Sequence, residues 1–240
     1  MQKLKAFTLV SAFFIVGVSV FMEYKLSKLF YNCTHIVYTT VGEFGDYAIR
    51  RCGNILFIYF QGSNGKVDWK NNLDFPAKPY KRMGKTVWLA HRGFLKVWKS
   101  MEGSIGRYIS DTSLEKIYVV GYSHGGALAT LCYEYIWYNR DDLRGNIFGY
   151  GFGAPRVLWG LRFKSIISRW DNFTVVRNLD DLVTHVPPFL FGYFHVGKVL
   201  KIGKRGKYSK IDAHRDNNLL CELLEYEKDK QSTFLPFPCE

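Results

Sequence analysis

The sequence predicts an α/β fold, a mostly parallel central sheet flanked by helices. Two continuous β-branched and aromatic runs, Ile55–Phe60 and Lys116–Tyr122, read as buried strands. Apolar patterns of helical period follow at residues 94–109 and 125–138. Strands that alternate with helices feed a parallel sheet wrapped by helices.

In chain order, Lys3 and Lys5 precede an uncharged apolar run over residues 6–22. A basic start followed by apolar residues is a targeting pattern, either a membrane anchor or a cleaved signal. The run is slightly short for a span of about 20 residues. It is slightly long for a signal core unless cleavage falls within it, for instance after Ser19. A buried first helix is the alternative. Localisation is therefore expected to be membrane-associated or secreted, with residues 1–22 as the signal or anchor segment and residues 23–240 as one domain. Residues 24–31 predict a short helix, and 36–40 and 47–51 short strands around a glycine turn. Residues 61–85 are polar and punctuated by Pro and Gly, so they predict a long loop carrying a short helix. Loops of that length are usually functional or lid-like. Residues 146–152, 172–177 and 196–202 predict further strands, the last followed by the turn Gly203-Lys204-Arg205-Gly206.

The 240 residues are 48% apolar and 17% aromatic, enough for a packed core, which argues against disorder. The net charge of +12 attracts polyanions, either nucleic acid or an anionic membrane. No zinc-finger spacing and no RNP-like motif is present, so nucleic acid is the weaker partner. The five cysteines contain no C-x-x-C pair, which gives no support for a zinc or thioredoxin-type site. Their odd number leaves at least one thiol free or paired between chains. Cys132, inside a helical apolar pattern, reads as a small buried hydrophobe.

The strongest chemical signal is Gly121-Tyr122-Ser123-His124-Gly125, a G-x-S-x-G pattern with a strand before it and a helix after it. A serine on so tight a turn is held in a strained backbone conformation that pushes its hydroxyl out at the strand end. Glycines at both flanks remove side chains that would clash with the neighbouring backbone. The helix that starts there aims its N–H groups and positive dipole end at a developing oxyanion. The backbone N–H of His124 is thus one expected oxyanion donor.

With Gly126-Ala127-Leu128-Ala129, this elbow closely resembles that of the class 3 lipases, the fungal-type triacylglycerol lipases and their bacterial relatives. Three further stretches match in the family's order. Phe60-Gln61-Gly62-Ser63, with Trp69 beyond it, resembles the oxyanion loop and the start of the lid. His91-Arg92-Gly93-Phe94 resembles the H-x-G-F start of the next helix. Gly153-Ala154-Pro155-Arg156-Val157 resembles the G-x-P-R-V strand end. The resemblance implies an α/β-hydrolase fold, ester hydrolysis, and Ser63 as the second oxyanion donor. Gln61 stands where the family often has Arg, a departure that touches loop packing more than chemistry.

A serine hydroxyl needs a histidine to take its proton, and that histidine needs an acid to fix its tautomer. In α/β-hydrolases both lie downstream, acid first. Asn178-Leu179-Asp180-Asp181-Leu182-Val183 resembles the family's N-x-x-D-x-V segment, a register that selects Asp181 over Asp180. Three histidines follow: His185, His195 and His214. His185 is too close to Asp181 to arrive from a separate loop. His195 resembles a non-catalytic position of the family. His214 resembles its late catalytic histidine and completes the expected triad Ser123, Asp181 and His214. His35 and His91 read as structural. No metal-ligand spacing such as H-E-x-x-H is present, and the expected chemistry uses neither metal nor organic cofactor.

Residues 64–76 occupy the lid position and are only partly amphipathic, which suits either a lipase or an esterase for soluble substrates. The expected partner is a lipid or ester substrate at a membrane or lipid interface, with no protein partner identifiable. Lysines and Arg205 over residues 198–210 read either as a solvated hairpin tip or as an attractor for anionic lipid. A phospholipase or acyltransferase on the same triad, and an inactive membrane-tethered binding protein, are the rival readings.

Overall fold

The computed structural model describes residues 24–41, 45–62, 74, 76–82, 85–160, 168–228 and 237–238. Helix α1 (Leu26–His35) is followed by β1 (Thr39–Val41), β2 (Gly45–Cys52), β3 (Ile55–Phe60), β4 (Ala77–Arg82) and β5 (Lys85–His91). Then come α2 (Arg92–Ile109), β6 (Lys116–Tyr122), α3 (His124–Asn139), β7 (Ile147–Phe152), β8 (Leu158–Trp159) and β9 (Phe173–Asn178). β10 (Tyr193–Phe194), β11 (Lys198–Ile202) and α4 (Asp216–Lys228) complete it.

The main sheet runs β1-β2-β3-β6-β7-β9-β11. From β3 to β11 every pairing is parallel, while β1 and β2 are antiparallel additions at one edge. Alternate side chains of a strand face opposite sides of a sheet. Leu56, Ile58 and Phe60 of β3 and Ile117 and Val119 of β6 therefore join the core under α2 and α3. Phe57, Tyr59, Tyr118 and Val120 join the core under α1 and α4 on the other face. Burial on both faces is why these strands read as unbroken apolar runs. Tyr24 and Phe237 both pack on Phe57, with ring centroids 5.9 and 5.0 Å away.

A second, four-stranded antiparallel sheet runs β10-β8-β5-β4. It corrects the expectation of a loop at residues 77–82 and 85, which are strand. The short helix expected within 61–85 and nearly all of the lid position at 64–76 lie outside the described residues. In β4, Lys78, Pro79 and Lys81 are exposed, whereas Tyr80 is buried. An edge strand of this kind tolerates Pro and lacks an apolar run, so its pattern mimics a loop. Cys132 is buried and outside any disulfide, and Cys52 is disulfide-bonded. The apolar run at residues 6–22 lies outside the described residues. Among the described residues no helix is long and apolar enough to cross a membrane.

Candidate active site

β6 ends at Tyr122 and α3 begins at His124, leaving Ser123 alone in the turn with φ 54° and ψ −122°. Among the described residues it is the one non-glycine position with positive φ. The strain is held by close packing. A Cβ on Gly121 would lie 2.0 Å from the Gly125 carbonyl oxygen. One on Gly125 would lie 2.2 Å from the Phe60 carbonyl oxygen. The Ser123 N–H donates to the Phe152 carbonyl (2.8 Å), tying the turn to the end of β7.

The Ser123 hydroxyl lies 2.8 Å from Nε2 of His214, and Nδ1 of His214 lies 2.9 Å from Oδ2 of Asp181. An ionised carboxylate only accepts, so Nδ1 carries the proton and Nε2 is left to accept from the serine. Asp181 is fully buried, and its Oδ1 accepts from the Val183 N–H (2.9 Å). Asp180 turns the other way and accepts from the Gly206 N–H at 2.5 Å. Gly153, at φ 56°, backs the pair, since a Cβ there would sit 3.1 Å from both Asp181 Oδ2 and His214 Nδ1.

His214 sits in a short turn held from two sides. The Asn178 amide donates to the Ala213 carbonyl (3.0 Å). The Tyr122 hydroxyl donates to the His214 carbonyl (2.5 Å), and its ring stacks on the imidazole with centroids 5.3 Å apart. Burial raises the Tyr122 phenol above its ordinary pKa, which keeps it a donor. The sequence reading did not find Tyr122, because nothing local reveals a contact to a residue so far along the chain.

His124 opens α3, and its buried ring packs edge-on against Phe94 at 5.3 Å. Ser63 lies outside the described residues. Gly62 before it lies against Tyr122, where an added Cβ would come within 3.1 Å of the ring. His91 is buried and accepts from the Phe94 N–H at the start of α2. His195 Nε2 donates to the Thr184 carbonyl (2.8 Å). Burial of that ring, with Arg156 and Arg177 beside it, pushes its pKa down to about 4 and outweighs the Thr184 carbonyl, which favours the charged form. His185 bonds the Asp181 backbone carbonyl through Nδ1 (2.9 Å) and meets the Arg177 guanidinium through Nε2. Among the described residues no group of three His, Cys, Asp or Glu side chains could hold a metal ion.

A sequence model described as Lipase (class 3) matches residues 57–191, more than half of the chain. The chain belongs to the class 3 lipase family. A lipase of Rhizomucor miehei is 29% identical over 148 residues, 60% of this chain and 40% of that protein. A secreted mono- and diacylglycerol lipase of Fusarium solani is 27% identical over 144 residues, 58% of this chain and 41% of that protein. This family member thus spans about two fifths of the length of the curated relatives it matches. Its fold resembles the solved structure of the Rhizomucor miehei triacylglyceride lipase, with a TM-score of 0.63 at 22% identity over 75% of this chain and 78% of that one. It also resembles a triacylglycerol lipase whose catalytic centre is a serine protease triad, with a TM-score of 0.62. The α/β-hydrolase fold expected from the sequence is the fold observed.

Proposed function

We propose that this chain is a serine carboxylic ester hydrolase acting on acylglycerol-type lipids. The observation that carries the reading is the hydrogen-bonded chain Ser123–His214–Asp181, set on a strained turn at the mouth of a helix. As the ester carbonyl approaches Ser123, His214 Nε2 takes the hydroxyl proton and Oγ attacks. Asp181 stabilises the imidazolium that forms. The carbonyl oxygen becomes an oxyanion, for which the His124 backbone N–H at the start of α3 is one donor. By resemblance, Ser63 is the second. The intermediate collapses as His214 protonates the leaving alcohol. Water activated by the same imidazole then releases the acid from the acyl-enzyme.

The acylglycerol preference rests on the family and on relatives described as lipases. Residues 23–240 form the catalytic domain, and residues 1–22 carry it to a membrane or out of the cell. The disulfide at Cys52 supports an oxidising compartment.

The test is labelling by a fluorophosphonate, with the modified residue located by mass spectrometry. Ser123 is expected to carry the label, and Ser123→Ala to abolish it. Folded protein that takes no label sinks the hydrolase reading and favours an inactive binding protein. A panel of acylglycerols, phospholipids and short soluble esters, above and below their solubility limits, then fixes the substrate class. A preference for short soluble esters rejects the lipase reading, and release of acyl chains from phospholipid alone selects the phospholipase.

A further inference from the structure

We propose that the loop beside the triad docks the enzyme on an anionic lipid bilayer, inserting Phe189, Leu190 and Phe191 while a ring of cations contacts the head groups. The inference deepens the proposed lipolytic function and rests on it for what the docked enzyme does.

Exposed apolar side chains follow the triad acid along the chain and precede the triad histidine: Leu182, Val186, Phe189, Leu190 and Phe191 after Asp181, and Ile211 before His214. Leu182 directly follows Asp181, and its N–H donates to the Lys210 carbonyl (3.2 Å), which brings Ile211 alongside. Ile211 is 71% exposed and lies three residues before His214. From Leu182 the chain passes exposed Val186 to Phe189-Leu190-Phe191, where Leu190 is 93% exposed. This tip has a fixed shape. The Trp159 indole donates to the Phe191 carbonyl (2.5 Å), and the Gly192 N–H donates to the Phe189 carbonyl (2.8 Å). A fixed turn that points three large apolar side chains at solvent marks an interaction site.

The charge around these side chains decides the partner. Lys201 pairs in parallel register with Arg177, whose guanidinium meets His185, four residues before Phe189. The 203–206 turn is tied through Gly206 to Asp180, two residues before Leu182, and Arg205 of that turn lies close enough to Arg177 to disfavour its charge. Lys210 adjoins Ile211. Lys201, Lys204, Arg205 and Lys210 are exposed and form no ion pair among the described residues, whereas Lys207 is held by Glu222 and Glu225. Of the carboxylates nearby, Asp212 is ion-paired with Arg215, while Asp180 and Asp216 accept from the backbone N–H groups of Gly206 and Asn217, two negative charges against the four cations. Apolar side chains bordered by unpaired cations match a bilayer that is apolar inside and negative at its surface. A second copy of this chain would set the same cations against each other.

The experiment uses the full-length chain carrying Ser123→Ala, so that its outcome is independent of catalysis. Leu190→Cys, in a Cys221→Ser background, is labelled with an environment-sensitive fluorophore. Cys33 and Cys132 are buried and Cys52 is disulfide-bonded, and the parent protein without Leu190→Cys, treated in parallel, subtracts any label on Cys239, so the signal reports the tip and not the N-terminal segment. Phosphatidylcholine–phosphatidylglycerol vesicles are expected to shift the emission to the blue, and high salt to reverse the shift. The combined variant K201E/K204E/R205E/K210E, all at exposed positions, is expected to lower the apparent vesicle affinity of the tip on the order of 100-fold or more. The proposal is overturned if phosphatidylcholine vesicles alone give the same response, if anionic vesicles give none, or if the charge reversals change nothing. It is overturned equally by a label already buried in a dimer before lipid is added. RNA that binds the cations and blocks the vesicle response at matched phosphate concentration would reassign them to nucleic acid.

Discussion

Two imidazoles hydrogen-bond to Asp181, one through its carboxylate and one through its backbone carbonyl, and their surroundings have little else in common. His214 reaches Oδ2 with Nδ1 and the Ser123 hydroxyl with Nε2. His185 reaches the carbonyl with Nδ1 and the Arg177 guanidinium with Nε2. A hydroxyl can give its proton to an imidazole, and a guanidinium cannot. The lone pair of His185 is thus spent on a permanent donor, while that of His214 faces a group that can react. Nearby, burial disfavours the charge of both Arg156 and Arg177; Arg177 adds to the effect at Arg156, and Arg205 adds to it at Arg177, where Asp181 opposes it. The same residue type, on the same aspartate, is a candidate base in one pocket and a structural brace in the other.

The widest separation between the two pockets is expected in turnover. Ser123→Ala or His214→Ala is expected to lower kcat by up to about 10⁶-fold, as when one member of a nucleophilic unit is removed. His185→Asn leaves the triad intact and is expected to affect stability more than rate. Comparable rate losses for His214→Ala and His185→Asn, in proteins of equal thermal stability, would erase the distinction. One step smaller is the acid. Asp181→Asn is expected to cost about 10⁴-fold in kcat by favouring the wrong tautomer. Asp180→Asn is expected to leave kcat/KM unchanged, because its carboxylate serves the 203–206 turn. Equal losses in steady-state assays of the two variants would break the register argument.

The third prediction concerns stability in the cationic pocket. His195 has a pKa of about 4 when folded, against about 6.5 in the unfolded chain. Between those values the unfolded chain binds a proton that the folded chain does not. Stability is therefore complete above pH 6.5 and is lost as pH falls toward 4, by up to about 3 kcal/mol. Urea denaturation at pH 7 and pH 4.5 measures the loss, and His195→Gln should remove most of it. An unchanged difference in the variant would assign the pH dependence to other groups.

The sequence exposed the parts of this architecture that are local or repeated on both faces of the sheet. Ile55–Phe60 and Lys116–Tyr122 read as strands because each is buried on both sides. The elbow was legible because its glycines and serine are adjacent in sequence. The hairpin of β4 and β5 was not, since the outward face of an edge strand is written in Lys and Pro. His214 and Asp181 were selected by family register, for no spacing rule joins residues 33 positions apart. The contrast between His185 and His214 was least legible, because it depends on the Arg177 guanidinium meeting His185, a contact no local pattern announces.

The smallest predicted effect probes how the His214 pocket is braced. Tyr122→Phe keeps the ring that stacks on the imidazole and packs edge-on against Phe30 at 5.3 Å. It deletes only the O–H that donates to the His214 backbone carbonyl. One hydrogen bond is worth about 0.5–1.5 kcal/mol net, so a brace that holds the base in line with Ser123 corresponds to a roughly 3- to 10-fold fall in kcat. KM should not move, because the hydroxyl is engaged with backbone and not with substrate. A purely structural hydroxyl would lower the unfolding temperature and leave the acylation rate of the folded enzyme unchanged. Single-turnover acylation well below the unfolding temperature separates the two. A loss confined to that step identifies Tyr122 as the residue through which the elbow strand positions its own base.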